Sequence, residues 1–489
     1  MNILALDVGT TSMRGILYDD RGRVLTTESI LTPLISDSAT DTMEQDPAVY
    51  TDGAAAICRA VAQRFDVDAV SVTAFRSAPT LVDRDGKALC NFIMWQDTRN
   101  SGICERLKPY DPLIYDTCGA SVNTVFTATK ITWLKENCPE LYRRAFKAMI
   151  VPDYIIHFMT GVFSTDHTYG SRTLLMDIRS LEWNDELCRL CGLDREILCD
   201  LIPQGSISGK ITPEFSALTG IKTGVPVISA GGDQQCGALG LGVMDSSTIE
   251  VNSGTGSFVI SLTDKPVLTN SAVICNVAAV PGKYTQEMNI ISSASALNWL
   301  IREVFPEHWT DRPDFDEVNR KAAASPPGSN GVWCVPHFQG CGSRCWNPSA
   351  RAVFGGLSLS SHREDLIRAL YEGIASEISK SIDTLPEQCR SASEIAVAGG
   401  LSNSDIYLRI LCDMTGRRLV RGHDLQATAL GAFISASVAT GVYGGFSEAL
   451  TAVRENERFD TLLPDQFAVK FYTEYKTKTE NMYRAACAQ

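Results

Sequence analysis

The sequence predicts an α/β protein built as two similar lobes that face each other across a cleft. Three observations support this. A chain of 489 residues is too long for one hydrophobic core. Its recognisable segments read as short apolar strands running through glycine turns into helices. One layout also occurs twice: "MNILALDVGTTSMRGILYDDRGRVL" opens the chain, and "STIEVNSGTGSFVISLTDKPVL" begins at Ser247. In each, a strand enters a G-T turn and returns as a second strand. Asn252-Ser253-Gly254-Thr255-Gly256 takes the place of Asp7-Val8-Gly9-Thr10-Thr11. Copies half a chain apart predict lobes 1–245 and 246–489, with the boundary near 243–247.

In the first copy, Ile3 to Leu6 and Met13 to Tyr18 read as strands around Asp7, Gly9, Thr10, Thr11 and Ser12. Glycine lets backbone amides converge and the hydroxyls add donors, so the loop suits an anion. Asp7 would repel that anion, which points to a divalent cation between them. Taken alone, the stretch also fits an ordinary β-hairpin with a polar turn. The second copy favours the phosphate reading.

The other segments follow in order. "DAVSVTAFRSAPTLVD" reads as two strands around a polar turn, and "GVPVISAGGDQQCGALGLGV" as a buried strand entering a glycine-rich helix start. "FQGCGSRCWNPSARAVFGGLSL" is loop-rich and suited to lining a cleft. "SEIAVAGGLSNSDIYLRILCDMTGRRLV" reads as strand, glycine turn, helix, strand, with Ile406, Ile410, Leu411 and Met414 at helical spacing and Gly416 as the stop. "DLQATALGAFISASVATGV" is a small-residue helix able to pack closely.

The residue with most chemistry is Asp233. It follows the apolar strand Val225 to Ala230 and the glycines Gly231 and Gly232, at the start of a helix. α/β proteins place reactive groups at the C-terminal ends of such strands. A carboxylate there can accept a hydroxyl proton during phosphoryl transfer. A helix N-cap is the plainer alternative.

Composition excludes several classes. Hydrophobic content of 44% and charged content of 21% are those of a soluble globular protein. No apolar run reaches a membrane span, and the chain opens on a strand rather than a signal peptide. A net charge of −13 disfavours nucleic acid and anionic membrane, so a phosphate site must be made locally. The sixteen cysteines are scattered; the closest pairs are Cys188/Cys191 and Cys341/Cys345. "ELCRLCGLD" reads as a short helix ending at Gly192, and the six histidines form no cluster. The expectation is free thiols in a reducing cytoplasm and no structural metal site.

Two lobes with a phosphate loop each resemble the ribonuclease H-like lobes of the actin, hexokinase and heat-shock ATPase superfamily. More specifically, the chain resembles the FGGY family of carbohydrate kinases over essentially its whole length. "ALDVGTTSMRGILYD" looks like that family's first phosphate motif, "GGDQQ" like its catalytic-Asp motif and "NSGTGSF" like its second phosphate motif. "AVFGGLSLSSHREDLIRALYEG" matches the C-terminal signature closely, and "VFTATKITWLKEN" nearly matches the N-terminal one, departing at Val125. The blocks "MEQDPAVY", "IMWQDTRN", "VPDYIIHFMTG" and "SRTLLMDI" stand in the family's order.

The resemblance implies an ATP-dependent kinase using magnesium and acting on a small sugar or polyol. It implies Asp233 as catalytic base, and Thr10, Thr11 and Arg14 near the γ-phosphate. Asp7 would hold magnesium, and Gly254 and Thr255 would meet the phosphates from the second lobe. Gly399, Gly400 and Asn403 would receive the adenosine. Gln426 stands where the family often has glutamate. Arg76, Trp95, Asp233 and Gln234 would hold the acceptor, because arginine donates to several hydroxyls and a tryptophan face suits sugar C–H groups. Asp97 could bind a hydroxyl or cap local structure.

Glycerol kinase has a glutamate where Ser77 stands and a tyrosine where Val125 stands. A histidine-containing block expected of a xylulokinase is absent at "AFRSAPT". The expectation is therefore a ketose or C4 to C6 polyol favoured over glycerol, with glycerol kinase proper as the alternative. A chaperone-type ATPase would need a peptide-binding appendage beyond the second lobe. A silent sugar-binding regulator would be expected to lose Asp233, Thr10 or Gly254, all of which are present. A homodimer is left open.

Overall fold

The opening hairpin is present as expected. In the computed structural model, which describes residues 1–37, 42–309, 313–423 and 426–487, β1 (Ile3–Val8) pairs antiparallel with β2 (Ser12–Tyr18). All six residues of β1 are buried, as a central strand of an apolar run requires. The hairpin extends through β3 (Val24–Leu31) on one side and β4 (Ala69–Ala74) on the other. With β5 (Ser206–Lys210) and β6 (Pro226–Gly232) it forms a six-stranded sheet of order β5-β6-β4-β1-β2-β3.

Register gives this sheet its functional edge. β1, β4 and β6 run parallel, with Val8 beside Ala74 and Ala74 beside Gly232. The residues that follow each strand therefore emerge together: the Gly9–Ser12 turn, Arg76 and Asp233. The predicted strand pair around "FRSAP" is also found, but Pro79–Val82 pairs with Lys147–Ile150 in a separate two-stranded sheet.

The second half repeats the pattern. β7 (Thr248–Ser253) and β8 (Ser257–Thr263) form an antiparallel hairpin, and β7 pairs parallel with β11 (Glu394–Ala398), just as β1 pairs with β4. β9 (Ile274–Val277), β10 (Tyr284–Ile290), β12 (Arg418–Gly422) and β13 (Phe459–Leu462) complete a seven-stranded sheet of order β9-β10-β8-β7-β11-β12-β13. Asn252 lies beside Ala398, so the second G-T turn and the Gly399 turn again share one edge.

Helices cover both sheets. α1 (Pro47–Ala62), capped by Asp46, packs on the first sheet, and α2 (Thr127–Asn137) lies over a neighbouring cluster. α3 (Asp233–Gly240) begins directly at the catalytic candidate. α4 (Arg363–Thr384) fills the second core with Leu370, Ile374 and Ile378, each burial stabilising by about 1.5–3 kcal/mol. α5 (Asp405–Thr415), capped by Ser404, stops at Gly416 in the left-handed conformation, as the sequence predicts.

The small-residue helix α6 (Ala427–Ala439) lies in the second half of the sequence but packs on the first sheet. A β-carbon on Gly240 would sit 2.0 Å from the Ala427 carbonyl, and one on Gly431 would sit 1.9 Å from that of Cys236. α3 and α6 thus cross backbone to backbone, which only glycine permits. Ser71 Oγ of β4 donates to the Ala432 carbonyl of α6 at 2.8 Å, joining the helix to the sheet beneath it.

One cysteine expectation is corrected. Thirteen described cysteines are free and buried or half-buried, but Cys341 and Cys345 form a disulfide. The loop folds back on itself there, with backbone hydrogen bonds between Cys341 and Asn347 in both directions, so the two side chains meet. Cys188 lies in the predicted short helix Asp185–Leu190. Among the described residues no helix is long and apolar enough to cross a membrane, and no group of three or more His, Cys, Asp or Glu is arranged to hold a metal.

Candidate active site

The first G-T turn, the candidate phosphate loop, closes on itself through Gly9 N–H donating to the Ser12 carbonyl at 2.9 Å. Neighbours hold it from behind: Gln45 Nε2 and Thr32 Oγ1 both donate to the Thr10 carbonyl, at 2.9 and 3.0 Å. Trp95 Nε1 lies 3.3 Å from Thr10 Oγ1, with the tryptophan 39% exposed. Its ring therefore borders the first G-T turn. Thr11 is exposed at the turn tip.

Asp7 and Arg14 face each other across the hairpin, and their ion pair measures 2.7 Å. Arg14 Nη1 also donates to Gln426 Oε1 at 2.6 Å, so the position where the family often has glutamate still accepts from this arginine. Burial pushes the Asp7 carboxyl above its ordinary pKa, Arg14 opposes that, and the charge of Asp233 adds to it. Two carboxylates thus feel each other at one edge. Magnesium is usually held by one or two carboxylates together with substrate phosphates, and this donor set fits it.

Asp233 occupies the first position of α3, a quarter exposed, with Arg76 Nε 3.3 Å from Oδ1. Gln234 is turned back toward it: its backbone N–H donates to Oδ1 at 2.8 Å and its Nε2 to Oδ2 at 3.4 Å. Burial raises the Asp233 pKa, while Arg76 and the Gln234 amide lower it and Glu287 raises it further. A base with a pKa raised from the ordinary carboxylate range is better suited to take a proton.

Arg76 is where the structure adds most. It is 7% exposed, and its guanidinium forks onto Glu287 of β10, Nη1 to Oε2 at 2.7 Å and Nη2 to Oε1 at 3.2 Å. Most of its donors are therefore committed within the protein. Glu287 carries a pKa below the usual range, because Arg76 and Arg172 outweigh its burial. Ser77 follows in the left-handed region, φ 68°, which is strained for a residue with a side chain, and its hydroxyl donates to the Arg172 carbonyl at 3.4 Å. Val125 is half-buried just before α2.

On the second lobe, Gly254 and Thr255 form an open turn whose carbonyls accept from Ser293, Ala294 and Ser295 N–H at 2.9–3.2 Å. Gly399 has φ 85°, and a β-carbon there would fall 2.5 Å from Ser253, so the two turns touch. Gly400 and Asn403 lie in a 3-10 turn that the sequence reading did not resolve. Both are exposed, and nothing lies within 4 Å of a β-carbon built on Gly400. That leaves the turn accessible.

Asp97 is settled as structural. It is fully buried, accepts from Met43 N–H at 2.7 Å, and holds Arg99 with both oxygens. Sequence reasoning missed Glu287, Arg172 and Glu250. Glu250 is buried beside α3, with neither carboxylate oxygen hydrogen-bonded, and burial pushes its pKa well up. An acidic residue inside a strand segment is the one signal that could have marked Glu250 and Glu287, and the polar neighbours in both strands weaken it.

Comparison with known proteins places this geometry. Residues 2–240 match the N-terminal domain of the FGGY family of carbohydrate kinases, and residues 250–440 match its C-terminal domain. The chain is 30% identical over 487 residues to a glycerol kinase of Thermococcus onnurineus, covering 97% of this chain and 96% of the relative. It is 26% identical over 466 residues to a xylulose kinase of Bacillus subtilis, covering 94% and 92%. Among solved structures, a ligand-bound xylulose kinase from Lactobacillus acidophilus superposes with TM-score 0.93 at 23% identity, covering 100% of this chain and 99% of that one. A glycerol kinase from Plasmodium falciparum with ADP superposes with TM-score 0.88 at 23% identity, covering 98% of each. The shared two-lobe fold explains why two sheet edges deliver two G-T turns and one acid to one cleft, and the sequence matches, spanning both lobes, show that the chain belongs to the FGGY family of carbohydrate kinases.

Proposed function

We propose that this enzyme transfers the γ-phosphate of ATP to a hydroxyl of a C4 to C6 ketose or polyol in preference to glycerol, with Asp233 as the base. The observation that carries the reading is the sheet register that sets Asp233 beside the first phosphate loop. In this mechanism Thr10, Thr11 and the Gly9 turn hold the γ-phosphate from one lobe while Gly254 and Thr255 hold phosphate from the other. Arg14 exchanges Gln426 for a phosphate oxygen. Asp7 holds magnesium, which supplies charge neutralisation of the phosphates when bound. Gly399, Gly400 and Asn403 receive the adenosine. Trp95 offers its exposed face to the acceptor's C–H groups, and Gln234 keeps the Asp233 carboxylate turned to the hydroxyl.

Arg76 contributes mainly by position: pinned by Glu287, it presents Nε to Asp233 and shapes the floor of the pocket. Ser77 and Val125 leave that pocket wider and poorer in fixed acceptors than a glutamate and a tyrosine would. A change of this kind shifts discrimination by about 10–200-fold. The proposal carries with it a cytoplasmic setting, and a homodimer is compatible with it.

A panel of ketoses, polyols and glycerol assayed by ADP release tests the reading. At least one C4 to C6 acceptor is expected to exceed glycerol in kcat/KM by about tenfold or more, and Ser77→Glu with Val125→Tyr to move preference back toward glycerol. Glycerol outperforming every longer acceptor in the unmodified enzyme would overturn it.

A further inference from the structure

The strand that carries Asp233 is irregular just before it ends. In β6, Ser229 pairs with Val72 of β4 and Gly231 with Thr73, so Ala230 is an extra residue with no counterpart in β4. This is a β-bulge, and it shifts by one residue the alternation of side chains that follows. The bulge therefore sets the direction in which Asp233, two residues after Gly231, leaves the sheet. The residues between the bulge and Asp233 bring no side chain to fix that direction. Gly231 has φ 116°, which glycine alone holds readily, and Gly232 follows it.

One short helical turn, His167–Gly170, supplies the fixing groups from outside. Asp166, its N-cap, accepts from Ser229 Oγ at 2.5 Å on the near side of the bulge. On the far side, Thr168 Oγ1 accepts from the Gly232 N–H at 3.0 Å and donates to the Asp166 carboxylate. Tyr169 Oη donates to the Gly231 carbonyl at 2.9 Å and accepts from the Ala74 N–H at 2.9 Å. Thr73 Oγ1 donates to the same Gly231 carbonyl at 2.8 Å. Asp166, Thr168 and Tyr169 are all buried. Tyr169 thus bridges the two strand ends where the bulge interrupts their ladder. Ala74 lies two residues before Arg76, and Gly231 two before Asp233, and those two side chains meet with Arg76 Nε 3.3 Å from Asp233 Oδ1.

We propose that Asp166, Thr168 and Tyr169 clamp the bulge, with Tyr169 as the positioning residue that holds Asp233 in place beside Arg76 for proton abstraction. The inference rests on the base role given to Asp233 above and says what aims that base. The clamp acts through the backbone of Gly231 and Gly232, so its loss lowers the rate without removing a ligand contact. A base misplaced by ~1 Å loses up to about 100-fold in rate.

The test is a double-mutant cycle on the full-length enzyme with MgATP and the best acceptor of the panel above, run well below each variant's melting temperature. Tyr169→Phe keeps the ring and removes the hydroxyl. It is expected to lower kcat by about 10–100-fold, with ATP affinity by calorimetry and acceptor KM near normal. In the Asp233→Asn background the same change should cost almost nothing further, because the base it aims is gone. Thr168→Ser, which keeps the hydroxyl, should retain most of the rate that Thr168→Val loses. A Tyr169→Phe enzyme that melts earlier but keeps its kcat would show a merely structural tyrosine and overturn the inference. Equal losses in both backgrounds would also overturn it. Should Tyr169→Phe fail to fold, the Thr168 pair decides: a serine variant that outpaces the valine variant upholds the clamp, and equal rates overturn it. Normal turnover in Asp233→Asn alone would remove the base and the clamp's catalytic role together. Turnover lost in Asp233→Asn but kept in Tyr169→Phe would strike the clamp and leave the base standing.

Discussion

Arg76 and Glu287 are joined by two hydrogen bonds of 2.7 and 3.2 Å, one residue following a strand of the first lobe and the other lying in a strand of the second. Both side chains are at least nine-tenths buried. The pair ties the strand edge of the first lobe to the sheet of the second.

Removing one partner of a buried pair strands the other charge. Glu287→Gln is predicted to lower stability by about 3–5 kcal/mol, because Arg76 keeps only Asp233 as an anionic partner and Arg172 loses its nearest one. Urea unfolding followed by fluorescence measures this, and a loss below about 1 kcal/mol would show that the pair is not a structural tie. The low Glu287 pKa has a matching consequence. Its contribution is present above the unfolded glutamate pKa and is lost as pH falls through the lower folded value, so Glu287→Gln should have a flatter stability profile in acid.

Asp233→Asn is predicted to lower kcat by about 10²–10⁴-fold while ATP affinity stays close to normal. Turnover near the unmodified level in that variant would remove Asp233 from the base role. The same substitution should raise the melting temperature slightly at neutral pH. A group whose folded pKa is raised contributes stability that is lost as pH climbs through that value, so the ionised carboxylate weakens the fold where the enzyme works.

With Asp233 as the proposed base, its raised pKa is predicted to set the acid limb of activity. The base must be ionised, so kcat/KM should rise with pH through a single ionisation lying above the ordinary aspartate value of 3.8. A flat profile across mildly acid pH, in buffers where the fold is intact, would show that no carboxylate of raised pKa limits the reaction.

ATP with magnesium should raise the melting temperature by about 2.7 kcal/mol equivalent of stability at a hundredfold excess over Kd, by mass action alone. Excess EDTA should abolish turnover. Full activity in EDTA would leave Asp7 without its proposed metal role.

Local signals were enough for much of this protein. Glycine turns between apolar strands marked both hairpins, the strand ending in Gly231-Gly232 marked the helix start at the candidate base Asp233, and Ser404 and Gly416 bounded a helix, because turn chemistry and strand periodicity are carried by neighbouring residues. Family motifs extended that to the whole cleft. Tertiary structure alone decided what depends on partners far along the chain. Arg76 is separated from Glu287 by 211 residues, and no local pattern says that its donors are already taken. The Asp97 carboxylate became structural only when folding brought Met43 and Arg99 to it. Arg172 lies in a block that reads simply as family framework, and its surroundings exist only because Glu287, Phe126 and Ser77 converge around it. Pairing and burial of charge are properties of that convergence, and they decide what the pocket can hold.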